Sequence, residues 1–232
     1  MLELIFESKE GEKGLEFEVR KLVNAGRSGR DAEAVKRHME ELRKSGINVG
    51  HEFPIFWPKT PDRVTTSSNF EVLPQSKSSG EVEFALLVDK DTIYVGVGSD
   101  HTDRGIQKTD LVAAKEIYYN ALAPKMWLYE EVKEYWDELI MRSWVREEGK
   151  RQLYQEGKLV EILEPEKILE EVKLRVGNDL NGLLVFSGTF PTLSGKLSYS
   201  SYFEVELRDD RAGRAIHHIY HAKPITWFGK KN

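Results

Sequence analysis

The chain has 232 residues, with 34 basic and 39 acidic side chains, a net charge of −5 and no cysteine. That length buries a substantial core without covalent staples, and the missing thiols exclude disulfides, thiolate metal sites and a cysteine nucleophile. Charges of both signs are mixed along the chain, so no basic stripe points to nucleic acid. No window approaches the roughly 18 consecutive apolar residues of a membrane span, and the apolar and acidic start lacks the basic opening of a signal peptide. The expectation is a soluble, cytoplasmic protein with no nucleic-acid or membrane partner.

In chain order, residues 1–8 read as a first strand. Residues 15–23 open with period-two alternation and are predicted to pair with it, the segment holding Gly11 and Gly14 making the turn. Residues 24–29 break that pattern. Over 30–44 the apolar positions Val35, Met39 and Leu42 recur at helical spacing, with Asp31 as cap and Gly46 beyond the end. Pro54, Pro58, Pro61 and Pro74 punctuate residues 50–80, which read as a long and therefore functional loop. Residues 81–88 and 92–97 form a predicted hairpin around Asp89-Lys90-Asp91. Helices are expected over 110–121, 125–140 and 165–176, the last opening on a proline suited to a first turn. Strand character returns over 183–190, 202–207 and 215–220. Lacking a regular βαβα alternation, the chain is read as α+β. Residues 1–79 are expected to supply strands, a helix and a lid-like loop, and 80–232 a catalytic core, unless both form one continuous domain.

Period-two geometry in Glu81-Val82-Glu83 places two carboxylates on one face, about 6 to 7 Å apart along the strand. Two acids sharing a face with Ala85 and Leu87 resist burial unless something positive sits between them. The bland alternative is an edge strand whose acids face water. If the hairpin returns Asp100 beside them, three carboxylates converge into an oxygen-rich set suited to Mg²⁺ or Mn²⁺; otherwise Asp100 is the polar end of a turn. His217 and His221 would share a strand face, but no clear third ligand accompanies them, so a surface role is the default.

These residues carry a family resemblance. Glu81-Val-Glu83-Phe-Ala resembles the Glu-x-Glu-Leu-Ala strand of the fumarylacetoacetate hydrolase superfamily, and Ser99-Asp100-His-Thr-Asp-Arg104-Gly-Ile-Gln107 its Asn-Asp-Val-Thr-Ala-Arg-Asp-Leu-Gln segment. Ala114-Lys115, Ala123-Pro124 and Ser187-Gly188-Thr189 follow in the family's order. The chain departs from the pattern at Ser99, at Gly105, and at Phe190, which separates Thr189 from Pro191; a bare hairpin also stands where an insertion is usual. These departures mark a divergent branch.

The resemblance implies a mixed β-sheet roll with peripheral helices, metal-binding Glu81, Glu83 and Asp100, a catalytic Lys115, and Arg104, Gln107 and Thr189 orienting an oxo-acid substrate. Arg and Lys neutralise carboxylate or enolate oxygens, while Gln and Thr give directional hydrogen bonds. Gly26-Arg27-Ser28 followed by His38 and Glu41 resembles a lid segment in which a histidine and a glutamate activate water. At i and i+3 they are helix neighbours, although Glu204 or Glu206 are other candidate acids for a histidine. The implied activity is a divalent-metal-dependent hydrolase, cleaving a carbon-carbon bond, or a lyase, acting on a small oxo- or enol-acid through a metal-stabilised enolate. A homodimer is implied as well. The alternatives are a sugar-acid dehydratase, decarboxylase or isomerase on the same scaffold, and a non-catalytic module binding a small acid or a protein.

Overall fold

A computed structural model of the chain describes residues 1–44 and 52–228, apart from the side chains of residues 38 and 41–43. In chain order its elements are β1 Leu2–Ser8, β2 Gly11–Phe17, β3 Lys21–Gly26, α1 Ala32–Lys44, β4 Ile55–Lys59, β5 Val64–Thr65, β6 Asn69–Val72, β7 Ser78–Asp89 and β8 Thr92–Asp103. There follow α2 Leu111–Glu116, β9 Asn120–Leu122, β10 Lys125–Leu128, β11 Ile140–Glu147, β12 Lys150–Lys158, α3 Pro165–Val176, β13 Leu183–Phe186, β14 Tyr202–Asp209 and β15 Arg214–Pro224. The α+β class holds. No described helix is long and apolar enough to cross a membrane.

The larger sheet runs β2-β1-β10-β8-β7-β13-β3-β4, with β9 and β5 attached beside β8. A second sheet runs β12-β11-β14-β15-β6. Alternation along the central strand β7 divides the core. Val82, Phe84, Leu86 and Val88 meet Met141, Val205, Leu207 and Ile216 of the second sheet, together with Ile168 and Val172 of α3. Ala85 and Leu87, on the opposite face, join Leu4, Leu22, Leu122, Met126, Leu184 and Phe186 in an inner cluster. Those residues come from strands spread across the sheet from β1 to β3, so the sheet curls around them, as the expected roll requires. Chain from before residue 79 enters both sheets: β1 pairs with β10, β3 with β13, and β6 with β15.

Several expectations change. The segment 15–23 is two strands, not one, and residues 24–26, expected to break the pattern, complete β3. The proline-rich stretch contains β4, β5 and β6; Pro58 is tolerated because β4 is an edge strand, where a missing donor leaves no ladder bond broken. The expected helix over 125–140 is instead β10 followed by short 3₁₀ turns at Tyr129–Glu131 and Lys133–Glu138. Val132, Trp136 and Leu139 mimic helical spacing, but they bury themselves through those turns, and Met126 and Trp127 are buried as strand residues. The β11–β12 hairpin went unread in the sequence. Its turn, Glu148-Gly149, has positive φ at both residues (50° and 76°), a tight-hairpin geometry that the Glu-Gly pair signals only weakly. Helix α1 forms where expected, with the Asp31 carboxylate accepting from the backbone nitrogens of Glu33 and Ala34 at 3.0 and 2.9 Å.

Candidate metal centre

The face of β7 that sends Ala85 and Leu87 into the inner cluster carries Glu83 and Glu81 toward one end of the curl. Glu81 pairs with Asp100 across the ladder and Glu83 with Gly98. A side chain at Gly98 would collide with the Ala121 carbonyl of β9 and with the Phe186 ring, so glycine there lets β9 close over the site. The end of the curl is polar where its interior is apolar. Asn24, Lys59, Glu83, Asp100, Lys115 and Asn120 are all buried there.

One oxygen from each of Glu81, Glu83 and Asp100 can be chosen so that all lie within 4.8 Å of one another. The edge-strand alternative therefore fails: Glu83 and Asp100 are 1% and 0% exposed, and Glu81 is half-buried. Gly188, at φ 85°, donates its N–H to Glu83 Oε2 at 2.9 Å. Burial pushes the Glu83 carboxyl well above the usual carboxylate range, and the neighbouring Asp100 charge pushes it further. Asp100 goes the other way. Its burial opposes ionisation, but the Lys115 and Lys59 ammonium groups outweigh burial and hold it below the usual range. Lys115 Nζ donates to Asp100 Oδ2, while Asp100 Oδ1 is buried and has no hydrogen-bond partner.

That unsatisfied oxygen is the local test of whether a cation fits. A buried carboxylate oxygen without a donor is costly, and two more carboxylates stand close enough to share one ion. Hard carboxylate oxygens with room for water beside them suit Mg²⁺ or Mn²⁺. The donor set fits, and Glu81, Glu83 and Asp100 are the residues that would hold the ion.

The cations are placed with equal economy. Arg104, 6% exposed, ion-pairs with Glu81 at 3.0 Å and donates to Gln107 Oε1 at 3.0 Å. Lys115, on the helix capped by Asp110, is 7% exposed rather than solvated, and its ammonium lies 5.4 Å from the centre of the Trp57 ring. Burial opposes its charge, but Asp100, Glu81 and Glu83 overcome this and raise its pKa. Thr189 Oγ donates to the Val82 carbonyl at 2.5 Å and accepts from Gln155 Nε2 at 2.9 Å. A cavity of about 570 Å³ is lined by Glu81, Glu83, Arg104, Gln107, Lys115 and Thr189, and Asp100 joins that lining through Lys115 and its ladder pairing with Glu81. Seven of the nine candidate site residues are thus neighbours. His38 and Glu41 fall in α1, and their side chains lie outside the described residues; His51 lies outside them altogether.

Four groups were invisible to sequence reasoning. Lys59 Nζ donates to Asn120 Oδ1 at 2.6 Å and stands 3.9 Å from Asp100 Oδ1, with burial drawing its pKa down to about 8. Asn120 in turn donates to Asn24 Oδ1 at 2.8 Å. Gln155, from the second sheet, accepts from the Val82 N–H and Ser143 Oγ at 3.0 Å each, and donates to Thr189 and to the Phe190 carbonyl. The apolar run Ile55-Phe56-Trp57 ahead of Lys59 was the one available signal, masked by the prolines around it. His101, which the sequence sets beside Asp100, points to the opposite face. There it packs edge-on to Phe70 and Phe203 with Nδ1 3.1 Å from Tyr220 Oη, and burial depresses its pKa to about 3. His217 pairs with Glu204 at 2.5 Å on the outer face of the second sheet, and among the described residues it belongs to no cluster of three metal-ligating side chains.

The chain belongs to the DUF2848 family of proteins of unknown function, whose family model matches residues 25–220. No curated protein matches it significantly in sequence. Among solved structures it is similar to Cg1458 with inhibitor, at TM-score 0.67 and 19% identity over 93% of this chain and 81% of that one. It is similar also to a yeast protein, ynq8, of the fumarylacetoacetate hydrolase family, at TM-score 0.60 and 16% identity over 92% and 97% of the two chains. A third is 2-keto-3-deoxy-D-arabinonate dehydratase complexed with magnesium and 2,5-dioxopentanoate, at TM-score 0.61 and 14% identity over 94% and 78%. The resemblance read in the sequence holds at the level of fold: the chain has the fumarylacetoacetate hydrolase fold.

Proposed function

For a DUF2848 chain on this fold, we propose a divalent-metal-dependent enzyme that processes a small oxo- or enol-acid through an enolate. The observation that carries the reading is the convergence of Glu81, Glu83 and Asp100 beside a buried Lys115, which lines a cavity together with the two glutamates. Mg²⁺ or Mn²⁺ held by the three carboxylates would supply Lewis-acid polarisation of the substrate's oxygens.

The chain's own residues do the rest. Lys115, whose carboxylate neighbours raise its pKa, places a positive charge toward developing oxyanion density. Arg104, braced by Glu81 and Gln107, presents a guanidinium edge suited to a carboxylate. The Thr189 proton is engaged by Val82 and one lone pair by Gln155, so this hydroxyl meets substrate as an acceptor. In a carbon-carbon bond hydrolase, His38 oriented by Glu41 would take the proton of an attacking water. In a dehydratase no such water is needed, and the similarity to a dehydratase complexed with magnesium keeps that second reading in play.

The test is turnover of a panel of β-diketo acids and 2-keto-3-deoxy acids, followed by mass spectrometry with and without Mg²⁺. Metal-dependent conversion of either group is expected. Absence both of conversion and of Mg²⁺-dependent deuterium exchange at the carbon beside the oxo group would overturn the enolate reading. The variant His38→Ala separates the two chemistries: it abolishes hydrolysis by an activated water and spares dehydration.

A further inference from the structure

The cavity is larger than the chemistry just described requires. At about 570 Å³ it falls within the roughly 300–1,000 Å³ that accommodates a drug-sized ligand, whereas an oxo-acid head is only a few atoms. Its charged part is formed by Glu81, Glu83, Arg104 and Lys115; Leu111, Leu197, Tyr199 and Trp57 also line it, Trp57 standing against Lys115. Leu197 and Tyr199 are 42% and 55% exposed and line this volume, so each has apolar surface open to a ligand there.

Their orientation is built into the segment that carries them. This stretch leaves β13 through Gly188 and Thr189, the two residues tied to Glu83 and Val82. The alternate positions face the second sheet: the Ser198 N–H donates to Tyr154 Oη at 3.1 Å, and Ser200 Oγ donates to the Arg146 carbonyl at 2.9 Å. Ser198 is buried. Residues 198 and 200 are thus tied to the second sheet, and Leu197 and Tyr199 line the cavity.

We infer that Leu111, Leu197, Tyr199 and Trp57 form a subsite for an apolar substituent, so that the substrate is an oxo-acid bearing an aryl or alkyl chain. This rests on the reading of the charged part as the oxo-acid site. A polyhydroxylated chain would press its hydroxyls against four apolar faces and lose hydrogen bonds to water there. A second carboxylate would have to seek Arg27 and Lys108 elsewhere on the lining.

Calorimetry on the full chain with Mg²⁺ tests it, using oxalate as a probe of the charged part alone and comparing pyruvate with phenylpyruvate, 2-oxoglutarate and 2-keto-3-deoxyarabinonate. Phenylpyruvate is expected to bind at least about tenfold more tightly than pyruvate, the scale of burying one ring. In Leu197→Ser and Tyr199→Ser that gain shrinks toward zero while oxalate binding is unchanged; both residues are exposed, so the fold tolerates the changes. No gain for the ring, a larger gain for either polar chain, or a gain that survives both substitutions would overturn the inference with the charged part intact. Failure of oxalate to bind would overturn the reading of the charged part itself, and the subsite with it.

Discussion

Glu83 and Glu204 are both strand glutamates, 1% and 4% exposed, and each belongs to a cluster of charged side chains, yet they end in opposite states. Glu204 receives two hydrogen bonds from Arg151 at 2.7 Å, one from Tyr202 Oη at 2.7 Å, and contact from His217 Nε2 at 2.5 Å. Arg151 in turn lies 4.0 Å from the Trp144 ring centre. Every acceptor site is used, and although burial alone would raise its pKa, Arg151, Tyr202 and His217 bring it down to about 2. Glu83 receives one backbone N–H, faces two other carboxylates, and lines a cavity. Residue type does not separate the two clusters. What separates them is completion: Glu204 is saturated by its own neighbours, and Glu83, left among like charges beside an open volume, is the one for which we propose a ligand.

The largest expected effect breaks the strut between the two regions. Gln155, 1% exposed, ties the second sheet to Val82, Thr189 and Phe190. Gln155→Ala leaves a buried N–H and a buried carbonyl unpaired and should cost about 2–4 kcal/mol in denaturant unfolding; a loss below about 1 kcal/mol would show that water replaces it.

The next test sets the two glutamates against each other, with opposite signs. Glu83→Gln removes a carboxyl whose ionisation folding opposes and is expected to stabilise the metal-free protein at pH 7 by about 1–2 kcal/mol, whereas Glu204→Gln weakens charge-assisted bonds and should destabilise it by a similar amount. The pH dependence follows from the shifts. Because folding raises the Glu83 pKa, its contribution is complete below the ordinary glutamate range and is lost as pH rises toward the raised value, so the benefit of Glu83→Gln grows from pH 4 to pH 7. Because folding lowers the Glu204 pKa, its contribution is present above the ordinary glutamate range and is lost as pH falls toward about 2. The cost of Glu204→Gln therefore fades in acid. Unfolding midpoints with the same sign for both variants would erase the distinction.

A smaller effect probes the resident cations. Lys59→Met removes a positive charge 3.9 Å from Asp100 and should tighten Mg²⁺ binding by about tenfold. Weaker binding would mean that Lys59 acts by shaping the site through Asn120.

How much of this was legible depends on where the determining contacts lie. Glu81, Glu83 and Asp100 sit on one hairpin: strand period puts the two glutamates on one face, while Asp100 joins them only because the second strand runs on past the expected residue 97 to Asp103. Lys115 and Arg104 follow shortly after in the chain, and resemblance to a known pattern covered them. Lys59 and Gln155 are recruited from an edge strand and from the second sheet, and their roles exist only once β4 meets β3 and β12 meets β7 across the core. Beyond the apolar run ahead of Lys59, local pattern contains no trace of such pairings. The misread stretch 125–140 fails for a related reason: apolar spacing says which residues are buried, and the surrounding sheets decide whether a helix or a strand with 3₁₀ turns buries them.

The central claim is that the three carboxylates hold one divalent cation. Titration calorimetry of Mg²⁺ and Mn²⁺ into the wild type, Glu83→Gln and Asp100→Asn measures it most directly, with Glu204→Gln as the control from the completed cluster. The expected result is one ion per chain for the wild type and the control, and a loss of at least about a hundredfold in affinity for the two site variants. Four proteins that bind alike, or none that bind at all, would contradict it.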